Sequence, residues 1–184
     1  MGTWVGLLRA VNVAGHNAVT MADLREFLEA AGLSQVRTVL QSGNFVASGG
    51  AREAPALERL LEREAKKRLS LETEFFVRSH RDWSALVAGN PFPAEARRDP
   101  GHLLVVFLKE VPERARVSGL ENAIRGREVI RAFERHLFAY YPDGVGRSKL
   151  TAAQIARHLR GSGTVRNWNT VMRLQAMLEA KSTG

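Results

Sequence analysis

Eight side chains in four short stretches have the chemistry to hold a ligand. Arg9 and Asn12 lie in LLRAVNVAGHNAVT, and Gln41, Ser42 and Asn44 in LQSGNF. Ser148 and Lys149 lie in DGVGRSK, and Arg166 stands just before Asn167 and Trp168. Guanidinium, ammonium, amide and hydroxyl groups are donors, so the set points to an anion, and a charge-assisted hydrogen bond to one is worth about 1.5–3 kcal/mol. The sequence offers no paired acid and base: Asp23, Asp82 and Asp143 read as a helix-cap, a first-turn and a turn residue. No G-x-S-x-G elbow presents a serine. DGVGRSK has the strand–turn–helix setting of a phosphate cradle without the Walker spacing, because its glycines are close together and Ser148 precedes Lys149.

With no cysteine in 184 residues there is no disulfide, thiolate nucleophile or cysteine zinc site. The histidines His16, His80, His102, His136 and His158 share no short ligand spacing, so neither a metal nor a cofactor is expected. A hydrophobic content of 45% with 25% charged residues is that of a soluble globular protein. No apolar run approaches a membrane span and no leader pattern precedes the first strand, which predicts a cytoplasmic protein with no membrane partner. Of the net charge of +8, residues 80–184 hold +7, with 17 Lys and Arg against 10 acids. That excess favours polyanions such as nucleic acid, or anionic small molecules. Arg outnumbers Lys 22 to 5, so a GC-rich genome is an alternative source of the charge.

The elements that must position these residues follow from periodicity. Val5, Gly6, Leu7 and Leu8 form an apolar run, the pattern of a strand covered on both faces, and Arg9 brings a charge to its end. Asn12, Gly15, His16 and Asn17 supply turn chemistry. Thr20 caps a helix over MADLREFLEA, with Asp23 three residues on, and Gly32 ends it. VRTVLQ and FVAS, separated by Ser42-Gly43-Asn44, read as a hairpin. Pro55 opens a second helix with Leu57, Leu60, Leu61, Ala65 and Leu69 inward and Glu58, Glu62 and Lys66 along a solvated face. TEFFVRS closes residues 1–79 as a strand, giving the β-α-β-β-α-β order of a ferredoxin-like split βαβ sheet. Its right-handed crossover makes the first two strands parallel and gathers Arg9 and the Gln41–Asn44 turn at one end of the sheet.

From His80 a short helix with Trp83, Leu86 and Val87 is stopped by Asn90-Pro91-Phe92-Pro93, and the segment to Pro100 reads as a loop. HLLVVFL is a second two-sided strand, Pro112 to Ser118 a helical turn, and REVIRAFE with HLFAYYP an antiparallel pair. Ser148 caps a helix burying Ala152, Ile155, Ala156 and Leu159, which Gly161 and Gly163 break. Asn167 caps a last helix carrying Trp168, Val171, Met172, Leu174 and Leu178. No fixed-period repeat stands out. The expected fold is α+β: a ferredoxin-like subdomain, residues 1–79, packed on a second α+β subdomain, residues 80–184, ending in two helices. The runs Val5–Leu8 and Leu103–Leu108 both need cover on two faces, so the halves are expected to fold as one unit.

The motifs LLRAVNVAGHNAVTMADLR, LQSGNFV, YYPDGVGRSKLT and TVRNWNTV, in this order, resemble a bacterial family known as domain of unknown function 1697. The matching residues are Arg9, Asn12, Gly15, Met21, Gln41, Ser42, Gly43, Asn44, Gly144, Ser148, Lys149, Arg166, Asn167, Trp168 and Thr170. The resemblance implies a ferredoxin-like subdomain followed by a second α+β subdomain, and it implies no particular chemistry. The family more often has Gly where this chain has Ala10 and Ala14.

An RNA-reading sheet would carry exposed aromatics on its central strands, and only Trp4 and Phe45 are placed for that. The leading expectation is a protein that binds an anionic ligand, a nucleic-acid or nucleotide phosphate, in a polar cleft between the subdomains. The alternatives are an enzyme acting on a phosphorylated or carboxylated metabolite in that cleft, and a structural or interaction protein whose polar motifs are caps and turns.

Overall fold

A computed structural model describes residues 2–12, 18–50 and 53–182, with side chains as far as residue 180. Ala14, Gly15, His16 and Asn17 lie outside the described residues. The protein is α+β, with two antiparallel four-stranded sheets and seven α-helices among those residues. It divides into two compact units, Met1–Ala85 with Leu174–Gly184, and Leu86–Arg173.

The first unit runs β1 (Thr3–Leu8), α1 (Met21–Ala30), β2 (Leu33–Val39), β3 (Asn44–Gly49), α2 (Ala54–Leu69), β4 (Phe75–Ser79). Its strand order is β2-β3-β1-β4, with β3 antiparallel to both β1 and β2. Strands β1 and β2 therefore run the same way with β3 between them, the split arrangement that the sequence predicts. Thr20 Oγ1 accepts from the Asp23 N–H (3.0 Å) and caps α1, and Gly32 follows it at φ +94°. On the helix side Leu24, Phe27, Leu28, Leu57, Leu61 and Ala65 pack with Trp4, Leu8, Phe45, Ala47, Phe75 and Val77. The opposite side chains, Val5, Leu7, Val46 and Phe76, are buried as well, as a two-sided apolar run demands.

One face of α2 departs from expectation. Glu58 is buried, not solvated: its Oε1 accepts the Val77 N–H (2.7 Å) and lies 3.7 Å from the buried Arg78 guanidinium. One turn on, Glu62 Oε1 accepts the Phe75 N–H (3.0 Å). The two carboxylates thus satisfy N–H groups of β4, an edge strand that would otherwise be a template for another chain.

In the second unit, α4 (Pro93–Arg98) occupies part of the segment expected to be a loop, with Pro93 at its first position. It follows α3 (His80–Ala88), which ends where Asn90-Pro91 predicts. Then come β5 (Leu103–Leu108), α5 (Arg114–Ala123), β6 (Val129–Phe133), β7 (His136–Tyr140), α6 (Ala152–Leu159), β8 (Gly163–Asn167) and α7 (Trp168–Ser182), whose residues from Leu174 on belong to the first unit. The helical turn after Pro112 is a ten-residue helix, and a strand stands between the last two helices. Gly163 opens β8 because a Cβ there would come within 2.9 Å of Val106 Cγ1. Thr151, not Ser148, caps α6, its Oγ1 accepting from the Gln154 N–H (3.2 Å). Asn167 caps α7 as expected, accepting from the Thr170 N–H (3.0 Å).

Strands β5 to β8 repeat the first sheet. The order is β6-β7-β5-β8 and all pairs are antiparallel. Strand register places Val5 against Arg78 and Val105 against Arg166, so these two buried arginines are equivalent. Each precedes a residue that caps the next helix: Ser79 Oγ accepts from the Asp82 N–H (3.1 Å) as Asn167 does from Thr170. Asn44 and His136 are equivalent too. Both are buried at the start of the third strand, and each side chain meets the carbonyl of the residue opposite, Val39 (2.9 Å) and Phe133 (3.1 Å).

Candidate functional site

The first unit gathers five of the predicted donors at the end of its sheet where β1 leaves and β3 begins, as the crossover requires. Leu8 donates its N–H to the Gly43 carbonyl (2.9 Å), fixing the β2–β3 turn beside Arg9. Most of this polar chemistry is spent within the fold. The Asn12 amide donates to the Val19 (2.9 Å) and Gln41 (2.7 Å) carbonyls and accepts from the Val19 N–H (2.9 Å). Asn44 is buried and donates to the Val39 carbonyl and to Ser42 Oγ, each at 2.9 Å. Ala10 (φ 50°) and Asn12 (φ 55°) are left-handed, a conformation that glycine adopts more readily than alanine.

Arg9 borders a cavity of about 490 Å³ together with Glu62, Lys66, Glu72, Thr73 and Glu74. Its Nη1 pairs with Glu74 at 2.6 Å, and Lys66 Nζ pairs with Glu72 at 2.7 Å. Glu72 raises the Lys66 pKa and Lys66 lowers that of Glu72, each by hydrogen bond and then by charge. Three carboxylates against two cations give this lining a net charge of −1.

Ser148, Lys149 and Arg166 belong to the second unit. Ser148 Oγ donates to Glu128 and accepts from the Leu150 N–H (2.9 Å), so it braces the connection between β7 and α6. Asp143 pairs with Arg127, whose hydrogen bond and charge hold its carboxyl below the usual carboxylate range. Lys149 is exposed. Arg166 donates to Thr164 Oγ1 and to the Val165 carbonyl, both at 2.8 Å, and burial pulls its guanidinium down to about 10, which leaves it charged at neutral pH. Trp168 is core, 6.1 Å from Phe138 ring to ring. Trp4 and Phe45 are buried under helices and form no stacking platform.

The residues that sequence reasoning missed lie where β5 ends. There Lys109, Glu110, Pro112, Glu113, Arg116, Arg160 and Ser162 line a cavity of about 390 Å³. Register makes Leu108 the counterpart of Leu8, so Lys109 follows the strand as Arg9 does. The lining carries three cations and two carboxylates, a net +1, and Arg116 Nε pairs with Glu113 at 3.1 Å. Helix α5 begins there without a side-chain cap, so its first N–H groups add positive potential. The signal was in the sequence: a cation directly after each two-sided apolar strand.

Two units of one topology, with cavities at equivalent sheet ends, define a duplicated α+β fold. Its chain matches, over residues 1–138, the model of a family described as protein of unknown function DUF1697. The protein belongs to that family. Its fold is similar to that of the conserved bacterial protein SP0830 from Streptococcus pneumoniae, with a TM-score of 0.76 and 22% identity over 96% of this chain and 98% of that one. No curated protein matches the chain. Among the described residues no helix is long and apolar enough to cross a membrane, and no cluster of His, Asp or Glu is placed to hold a metal ion.

Proposed function

We propose that the protein binds a phosphate-bearing anion, a nucleotide or single-stranded nucleic acid, at the Lys109–Arg116–Arg160 cavity of the second unit. The observation that carries this is the contrast between the two sheet-end cavities, net +1 against −1. The surroundings agree. Residues 86–173 hold 15 Lys and Arg against 8 acids, whereas the first unit holds 12 against 11. Lys109 and Arg160 both line the cavity, and the α5 N-terminus supplies backbone donors.

The test is anisotropy of a labelled oligonucleotide, with ATP and inorganic phosphate as competitors. Three phosphate contacts on a single strand give a slope of log K against log salt of about −2. Lys109→Ala and Arg160→Ala should each weaken binding about tenfold or more, as loss of a charge-assisted hydrogen bond does. Absence of binding at low salt, or a double variant that binds like the parent, refutes the reading.

A further inference from the structure

We infer that the second unit has a second, apolar binding site, for an uncharged aromatic molecule of one or two fused rings, between its sheet and α6. This site is separate from the anion cavity and does not depend on it. A cavity of about 310 Å³ lies over β5 and β8, floored by Leu104, Val106 and Val165 and walled by Tyr141, Leu150 and Ile155. A smaller one adjoins it, sharing Val106, Ala152, Ile155 and Val165. The polar atoms at its rim are already engaged. Tyr141 donates its hydroxyl to the Leu150 carbonyl (3.0 Å), Ser148 Oγ is held between Glu128 and the Leu150 N–H, and Thr151 Oγ1 caps α6. Recognition therefore rests on shape and apolar contact.

The chain itself indicates what fits. In the first unit the position equivalent to Leu104 is Trp4, whose indole is buried in the helix-side core with residues of α1 and the 16-residue α2 and donates to the Gly49 carbonyl (2.6 Å). In the second unit the ring is gone and the covering helix has eight residues. Leu104 and Val165 are left half-buried where Trp4 and Val77 are buried. An apolar cavity of about 150 Å³ stays dry and takes up benzene, so 310 Å³ suits an indole or naphthalene ring.

Indole is the probe, titrated into the full chain by calorimetry and followed by thermal melting. The parent protein should bind it saturably and melt at a higher temperature with it. Leu104→Trp, which rebuilds the first unit's own solution, should melt at or above the parent and bind indole at least tenfold more weakly. Val165→Phe fills the same space from β8 and serves if the first variant does not fold. Both should bind the oligonucleotide as the parent does, which keeps this test independent of the anion site. No saturable indole binding by the parent up to the probe's solubility, or less than a tenfold loss in a folded variant, overturns the proposal.

Discussion

The two units share one topology and complete it differently. In the first, a long α2 seals the sheet: its leucines cover the central strands, Glu58 and Glu62 satisfy the edge of β4, and the Trp4 indole fills the space beneath. In the second, α6 is half as long, its sequence AAQIARHL has no carboxylate for the edge of β8, and Leu104 stands for Trp4. The first unit's polar motifs turn inward to hold loops. The second keeps the charge and the open apolar space. In a duplicated fold, register and burial pattern carry the architecture, and the copies differ in how completely its positions are filled.

The hardest test of that contrast is the pair of equivalent buried arginines. Arg78→Met strands the buried Glu58 carboxylate and should cost about 3–5 kcal/mol in urea unfolding. Arg166→Met leaves a threonine hydroxyl and a carbonyl to find new partners, so a smaller loss of about 1–3 kcal/mol is expected. Equal losses would mean that strand position, and not the partner, decides the role of these arginines.

Next in size is Trp4→Leu, which gives the first unit the second unit's residue. Removing most of a buried indole should cost about 2–4 kcal/mol. Indole added in solution should restore part of the lost melting temperature. A variant as stable as the parent would show that α2 alone seals the first sheet.

The first half was largely legible because its signals are local. Thr20, Gly32, Pro55 and the Ser42–Asn44 turn each mark an element by their own chemistry, and the continuous apolar run in β1 marks cover on both faces. Beyond His80 the reading failed where the decisive contact is distant in sequence. Gly163 looks like a helix breaker and is a strand residue, because the constraint on it is the approach of Val106. Ser148 looks like a cap, and Glu128, twenty residues away, holds it. In the first half the same holds for Glu58, which fits a solvated face by spacing and is buried against β4. The repeat escaped detection because it has no fixed period: Val5 and Val105 are 100 residues apart, Asn44 and His136 92, Arg78 and Arg166 88. Shorter connections in the second copy shift its phase. Once aligned by register, VRS before α3 and VRN before α7 are visibly one motif.

A smaller effect concerns the brace on the second unit's cavity. Tyr141→Phe removes the hydrogen bond to Leu150 and should cost about 1 kcal/mol. Burial, followed by the charge of Glu128, pushes the Tyr141 phenol up to about 12. The unfolded phenol titrates near 10, so the folded state holds the proton more tightly. This contribution is fully present below pH 10 and is lost as pH rises through 12. The variant's stability should fall less steeply than the parent's across that window; identical slopes would mean that the phenol is not the group responsible.

The smallest change in stability separates the two sheet ends most cleanly. Arg9 and Lys109 follow equivalent strands, yet Arg9 is paired with Glu74, with the side chains 44% and 35% exposed, inside a lining of net −1. An exposed pair of this kind contributes at most about 1 kcal/mol. Arg9→Ala should therefore shift the melting temperature little and leave oligonucleotide affinity as it was. Lys109→Ala should also leave folding nearly intact while lowering affinity and flattening the salt slope by about 0.7, the loss of one phosphate contact. If Arg9→Ala weakened binding as much as Lys109→Ala, the carboxylates around Arg9 would have to move aside for the ligand. The anion would then belong to both copies of the fold, and the difference in lining charge would not govern where it binds.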